Sequence, residues 1–130
     1  MTIDRFAAFV GGLYLFIGSL GALLYVFPVG ALHQAMHLAV AMWGMTAASS
    51  IPDSLRFARW ATPLFLLATV VELTPLRDQA GVWLLPGIGL SLLHVLTAAA
   101  CAYYGYYWTS AVEEAAQTTA DSRSEPRKAA

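Results

Sequence analysis

The sequence predicts an all-α fold, an integral membrane four-helix bundle built from two tandem transmembrane helical hairpins. Hydrophobic residues make up 58% of the 130 residues and charged residues 12%, about half the charged fraction of a soluble domain. Several apolar runs approach the ~20 residues that a helix needs to cross the hydrocarbon layer. The segment RFAAFVGGLYL at position 5 also resembles RFARWATPLFL at position 56, and each copy precedes a proline-containing turn and a histidine-bearing helix. Together these features favour two similar hairpins.

The first hairpin is predicted to contain spans at residues 6–27 and 31–48. The first span has no charged residue and ends before Pro28, and the tight turn FPVG joins it to the second span. A single basic residue, Arg5, precedes the apolar run. This run is too long for the core of a signal peptide and lacks a clear small-residue cleavage site, so we expect the segment to be retained.

The second hairpin is predicted to contain spans at residues 56–75 and 84–108. A polar loop at residues 49–59, interrupted by Pro52, precedes it. The third span has a short uncharged run and reaches a sufficient length when the arginine side chains at its start extend to the interface. Pro86 suits the start of the fourth span, because the first turn of a helix tolerates a missing N–H. The aromatic run YYGYYW at the end of this span is typical of a membrane interface.

Residues 1–110 are predicted to form the four-helix domain. Residues 111–130 are predicted to be a disordered cytoplasmic tail, because they are polar and lack large apolar side chains. With four spans, both termini and the 49–59 loop lie on one side, which holds most of the basic residues: Arg5, Arg56, Arg59, Arg123, Arg127 and Lys128. The positive-inside rule therefore predicts a multi-pass protein of the plasma (inner) membrane with both termini in the cytoplasm.

Composition and motifs argue against several classes of function. The net charge of −1 gives no reason to expect nucleic acid as a partner. Cys101 is the only cysteine, which excludes an internal disulfide and a cysteine-rich zinc site. No carboxylate is evident that would complete a catalytic triad with Ser91 and His94, and glycine-rich phosphate loops are absent. The sequence therefore favours a role without catalysis.

Small residues mark the helix faces expected to pack inside the bundle, because helices in lipid associate where their backbones can approach closely. These predicted packing residues are Gly11, Gly18, Gly44, Ala48, Gly87, Ala98 and Gly105. His33 and His37 share the small-residue face of the second helix. His94 lies on that of the fourth helix, and Glu72 on that of the third. The four polar side chains are therefore predicted to point into the bundle rather than toward lipid.

Depth along the helices, estimated from a rise of about 1.5 Å per residue, predicts two layers in this histidine cluster. His33 and Glu72 are expected near the outer surface. His37 and His94 are expected deeper, at a common level.

Three functions remain open for these residues. In the first, they hydrogen-bond across helices in a small structural or partner-binding subunit, whose partners are the lipid bilayer and another membrane protein or a second copy. In the second, His37 and His94 bind b-type haem. Alternatively, His33, His37 and Glu72 bind a divalent metal, and methionines such as Met36 would supply soft ligands for copper. In the third, Glu72 begins a proton or solute path, which would stop midway because the cytoplasmic half of each span lacks acidic residues and histidines.

The segments FPVGALHQAMHLAVAMWGM and LLHVLTAAACAYYG resemble a family of small bacterial four-helix membrane proteins known as a domain of unknown function. Its members typically show a Phe-Pro-Val-Asn turn followed by Leu-His-Asn, a second His-Leu four residues later, and Leu-His-Leu in the last helix. The resemblance covers about residues 4–106. Gly30 and Gln34 stand where asparagines are usual, and Ser91 lies in a stretch that is commonly acidic or amide-bearing. The resemblance implies a four-helix membrane fold and no particular activity.

Overall fold

A computed structural model of the protein describes residues 1–24, 31–74 and 88–108. The described residues form four helices and no strand, which confirms the all-α prediction. The helices are α1 (Ile3–Leu24), α2 (Ala31–Ala47), α3 (Ile51–Leu73) and α4 (Ile88–Ala102), and a π-helical turn, Tyr103–Tyr107, continues α4. Gly87 and the predicted tail at residues 111–130 lie outside the described residues.

The helices form two closely packed pairs. Helix α1 packs mainly against α2 and helix α3 against α4, while less extensive contacts of α3 with α1 and α2 join the pairs. At one end of the bundle the Phe6 ring stacks on Tyr104 with 4.3 Å between centroids, and Arg59 Nε donates to the Gly105 carbonyl at 2.9 Å. Ser54 Oγ donates to the Ala47 carbonyl at the same end. The start of α1, the end of α2, the start of α3 and the end of α4 therefore meet at this end, which we call the arginine end.

Helix α3 begins earlier than its predicted span. Residues 49–59 were expected to form a loop, yet α3 starts at Ile51. Ser50 caps the helix, because its hydroxyl oxygen accepts a hydrogen bond from the Asp53 backbone N–H at 3.2 Å. Pro52 favours the helix because it lies in the first turn, where no backbone N–H is needed. The polar residues that indicated a loop therefore form a capped first turn.

Pro63 lies inside α3 and removes one backbone hydrogen bond from it. The carbonyl left without its helical partner is that of Arg59, four residues earlier. The Tyr106 hydroxyl, from the π-helical turn, donates to this carbonyl at 3.5 Å. This long contact gives the Arg59 carbonyl a partner in place of the missing helical N–H, and it links the end of α4 to α3.

Glycines allow α1 and α2 to approach closely. A Cβ atom added to Gly11 would lie 2.7 Å from the Met45 backbone nitrogen, and one added to Gly44 would lie 3.0 Å from the Ala7 carbonyl oxygen. Gly18 faces Leu38 across the same contact, and Gly105 packs against the α3 backbone near Arg59. Of the predicted packing alanines, Ala98 is buried and Ala48 is partly buried against the core.

One helix in the described ranges, over Ile3–Gly21, is long and apolar enough to cross a membrane. Helix α2 contains 17 residues, and α4 contains 15 followed directly by the five residues of the π-helical turn, whereas a span requires ~20. Helix α3 has 23 residues but includes charged residues near both ends. The structure therefore confirms four helices in the described ranges, of which one is a candidate membrane span by length and composition. The four separate spans stay a prediction.

Large apolar side chains nevertheless cover the outside of the bundle. Exposed examples from all four helices are Phe9, Phe16, Leu23, Met42, Trp60, Leu67, Val70, Leu92 and Leu96. The buried set, in contrast, includes several polar or ionisable side chains: His33, His37, Ser54, Thr69, Glu72, Ser91, His94 and Thr97. The described interior therefore combines these polar side chains with an apolar core that includes Ile3, Phe6, Val10, Tyr14 and Phe57, while the outside carries more large apolar side chains than a typical soluble domain does.

Candidate metal centre

Three buried imidazoles meet between α2 and α4. His33 and His37 lie one turn apart on the same face of α2, and His94 approaches from α4. Nε2 of His37 lies 3.0 Å from Nε2 of His33 and 3.3 Å from Nε2 of His94. One ring nitrogen from each residue can be chosen so that all three lie within 4.8 Å of one another. The structure therefore brings together all three histidines of the chain, which the sequence placed on inward faces.

Hydrogen bonds alone do not satisfy this cluster. A ring nitrogen carries either one N–H or one lone pair, so Nε2 of His37 makes one good hydrogen bond although it has two close neighbours. Nδ1 of His37 is buried and has no hydrogen-bond partner among the described residues. A buried polar atom left unpaired costs about 1–3 kcal/mol. Proton sharing therefore leaves one of the two close contacts of His37 Nε2 without a good hydrogen bond, whereas Nδ1 of His37 lacks a partner whether or not an ion binds Nε2.

Glu72 on α3 lies behind His94. Its Oε1 lies 2.8 Å from Nδ1 of His94, and its Oε2 accepts a hydrogen bond from Ser91 Oγ at 3.0 Å. The contact with Nδ1 is short, although its direction does not meet hydrogen-bond geometry. The two-layer prediction paired Glu72 with His33, but the carboxylate contacts His94. The depth of a residue along its helix does not predict this contact, because the lateral positions of the helices and the lengths of the side chains decide which groups meet.

Aromatic rings enclose the three histidines. The Tyr14 ring packs edge-on against His37 at 5.1 Å, and the Phe65 ring lies 5.6 Å from His94. The Tyr14 hydroxyl donates to Thr97 Oγ1 at 3.2 Å. Sequence reasoning did not assign Phe65 or Thr97 to the site. The helical spacing of these residues could have identified them. Phe65 is two turns before Glu72 on α3, and Thr97 is about one turn after His94 on α4, so each shares a helix face with a predicted site residue.

A cavity of about 150 Å³ opens beside the cluster, where α2 and α3 are less closely packed. The three histidines and Glu72 border it, but its surface is almost wholly apolar. The apolar lining residues are Met36, Val40, Leu64, Phe65, Leu67, Ala68 and Val71. A cavity of this size accommodates a molecule such as benzene. The cavity therefore reaches the histidine rings, although their nitrogens contribute little of its surface.

The geometry fits a single ion better than haem. Imidazoles on opposite faces of a haem iron need coordinating nitrogens about 4 Å apart, twice a metal–nitrogen bond of ~2 Å. The nitrogens of His37 and His94 are 3.3 Å apart, and the third imidazole stands beside them. A porphyrin is also several times larger than the adjoining cavity of about 150 Å³. The described residues therefore provide three nitrogen ligands for an ion and no space for a porphyrin between them.

Comparison with protein families shows what the chain is similar to. A family model described as a domain of unknown function (DUF4383) matches residues 18–107, a segment that contains all three histidines and Glu72. Comparisons with curated proteins and with solved structures give no match.

Proposed function

Because the chain belongs to the DUF4383 family of domains of unknown function, we propose its function from the site itself. We propose that it is a multi-pass membrane protein that binds a transition-metal ion between its helices through His33, His37 and His94. Glu72 supports the site without binding the ion. This proposal favours the metal-binding alternative over a purely structural subunit.

The spacing of the three imidazole nitrogens carries the proposal. With metal–nitrogen bonds of 2.0–2.1 Å, two ligands of a tetrahedral ion lie about 3.3 Å apart. The separations of 3.0 and 3.3 Å around Nε2 of His37 are close to this edge length, and the nitrogens of all three residues lie within 4.8 Å of one another, so ion binding would draw His33 and His94 closer together. An ion at the centre would accept all three lone pairs at once, which shared protons cannot do. Three histidines leave one tetrahedral position open.

Glu72 supports the same interpretation. Histidines that bind a metal through one nitrogen usually donate the other N–H to a carboxylate or carbonyl, which fixes the ring orientation. His94 directs Nε2 to the cluster and places Nδ1 2.8 Å from Glu72 Oε1. Ser91 in turn holds the other carboxylate oxygen. This Ser–Glu–His series has the residue types expected around a metal ligand, and the Nδ1–Oε1 contact would become the supporting hydrogen bond once the carboxylate rotates into line with the ring N–H.

Two features support a membrane location. Large apolar side chains face outward on every helix, and exposed apolar surface of this extent is typical of contact with lipid. The arginine end carries Arg5, Arg56 and Arg59. We therefore propose that this end faces the cytoplasm of the plasma membrane, with both termini on that side.

Metal loading of the full chain, purified from membranes in detergent and stripped with a chelator, tests the proposal. After incubation with Co²⁺ or Zn²⁺ and desalting, elemental analysis should find about one ion per chain. The visible spectrum of the Co²⁺ form should show the intense bands of a tetrahedral site. Mg²⁺ is the matched control and should not be retained, because it prefers oxygen ligands. A folded protein that retains neither Co²⁺ nor Zn²⁺ would overturn metal binding and favour the structural subunit.

Glu72→Gln should weaken Zn²⁺ binding by about 10–100-fold, the usual effect of losing a carboxylate that orients a metal-bound histidine. Glutamine keeps the shape of the side chain but replaces one carboxylate oxygen with an NH₂ group, which cannot accept the hydrogen bond of a ring N–H. The Co²⁺ bands should stay at their wild-type position, because Glu72 is not a ligand in this proposal. Ser91→Ala should weaken binding less, since it acts through Glu72. Wild-type affinity in Glu72→Gln, measured by competition with a chelating dye, would contradict this role.

A further inference from the structure

A crevice runs along the outside of the bundle between α2 and α3, which contact each other less extensively than the helices within each pair. Three adjoining hollows form it. The first hollow, at the arginine end, shares Trp43 and Trp60 with the second. The second shares Leu64 and Leu67 with the cavity beside the histidines. That cavity is therefore the far end of a continuous crevice that begins at the arginine end.

The α2–α3 crevice is charged at its start and apolar along the rest of its length. Asp53 and Arg56 line the first hollow with exposed side chains, and Arg56 Nη1 lies 3.4 Å from Asp53 Oδ1. The second hollow is lined by apolar and aromatic side chains, and the surface of the cavity is almost wholly apolar. Trp43 and Trp60 lie between the two parts, as tryptophans do at a membrane interface. This order of polarity matches that of a phospholipid, from headgroup to hydrocarbon.

The length of the apolar part fits one acyl chain. From Trp60 to Val71 it follows α3 for about 16 Å, at a rise of ~1.5 Å per residue. The hydrocarbon core of a bilayer is ~30 Å thick, so each leaflet contributes about 15 Å. An acyl chain from the leaflet at the arginine end therefore reaches the cavity beside the histidines.

The charges in the first hollow select the headgroup. Among the described residues they are one arginine and one aspartate, which sum to zero and therefore match a zwitterionic headgroup better than an anionic one. A guanidinium group binds phosphate well, and a carboxylate accepts hydrogen bonds from a primary ammonium group. The quaternary ammonium of choline has no N–H to donate. Ethanolamine is therefore the headgroup that can use both side chains.

We propose that the α2–α3 crevice binds one molecule of phosphatidylethanolamine. Its phosphate lies at Arg56, its ammonium group at Asp53, and one acyl chain extends past the tryptophans into the cavity beside the histidines. This inference rests on the proposed membrane location and does not depend on the metal ion.

Native mass spectrometry of the delipidated full chain in detergent tests the proposal, with phosphatidylethanolamine, phosphatidylcholine and phosphatidylglycerol of identical acyl chains as probes. We expect one phosphatidylethanolamine per chain, bound several-fold more tightly than the other two lipids. Arg56→Gln should weaken its binding about fivefold, the usual contribution of one basic side chain at a membrane surface. Arg5→Gln is the matched control, because Arg5 is at the same end but on α1 and does not line the crevice. It should leave the affinity unchanged.

Two further variants separate the headgroup from the chain. Asp53→Asn should remove the preference for phosphatidylethanolamine over phosphatidylcholine, because it removes the charge that faces the ammonium group. Ala68→Phe fills part of the cavity and should weaken the binding of all three lipids. Val70→Phe is its control, since Val70 is exposed on the same helix and does not line the crevice. Circular dichroism checks that each variant keeps its helical content.

Equal affinity of the wild type for the three lipids would overturn this inference and leave the membrane location and the metal site in place. Unchanged phosphatidylethanolamine affinity in both Arg56→Gln and Ala68→Phe would do the same. Release of the chain into the soluble fraction when membranes are washed at alkaline pH would overturn the membrane location, and this inference with it.

Discussion

Replacing His37 with alanine is expected to lower the Zn²⁺ affinity by more than about 100-fold, because the loss of a ligand should exceed the 10–100-fold effect of losing a supporting residue. His37 is the central ligand of the proposed site, since its Nε2 is the nitrogen within 3.3 Å of both other histidines. Its removal leaves one imidazole on α2 and one on α4. Elemental analysis after desalting should fall from about one ion per chain to a small fraction.

Val40→Ala is the matched control for this substitution. Val40 is buried one turn after His37 on the same helix and lines the same cavity, but it has no ligating atom. Its truncation costs packing energy and should leave metal retention intact. Equal loss of metal from both variants, with unchanged helical content by circular dichroism, would show that the effect comes from packing and would reject His37 as a ligand.

Gly11→Ala is expected to lower the free energy of unfolding by about 1–3 kcal/mol, the usual cost of overpacking a close contact. The new Cβ would lie 2.7 Å from the Met45 backbone nitrogen and 2.9 Å from the Ala41 carbonyl oxygen. These are backbone atoms of α2, so the conflict requires the two helices to move apart. Unfolding in mixed micelles with increasing dodecyl sulfate measures the effect.

The adjacent Gly12→Ala is the control, because nothing lies within 4 Å of a Cβ atom at that position. Both substitutions gain the helix propensity of alanine, up to about 1 kcal/mol relative to glycine. The difference between the two variants therefore isolates the contact between α1 and α2. Equal stability of both variants would contradict the close packing of these helices.

Helix content and inward polar faces could be predicted from the sequence because both are local properties. A spacing of four residues places His33 and His37 on one face in any helix, and the small residues along that face favour packing. The start of α3 could not be predicted from charge, because charged residues also occur in capped first turns. Ser50 and Asp53 form such a cap, so capping chemistry was the more useful guide.

The partner of Glu72 could not be predicted, since it depends on how neighbouring helices are placed laterally. Small shifts and rotations of α3 against α4 decide whether the carboxylate contacts His33 or His94, and no local pattern encodes them. The thioether of Met36 illustrates the same limit. Its helical face was predictable, whereas the cavity beside it arises from the packing of α2 against α3.

The pairing of α1 with α2 and of α3 with α4 has a consequence for biogenesis. His33 and His37 belong to the first pair and His94 to the second, so neither half contains the complete set of ligands. A nascent chain that has inserted only its first half has two imidazoles and no Glu72. If the site binds an ion as proposed, ion capture would therefore come late in maturation and would add to the contacts that join the two halves.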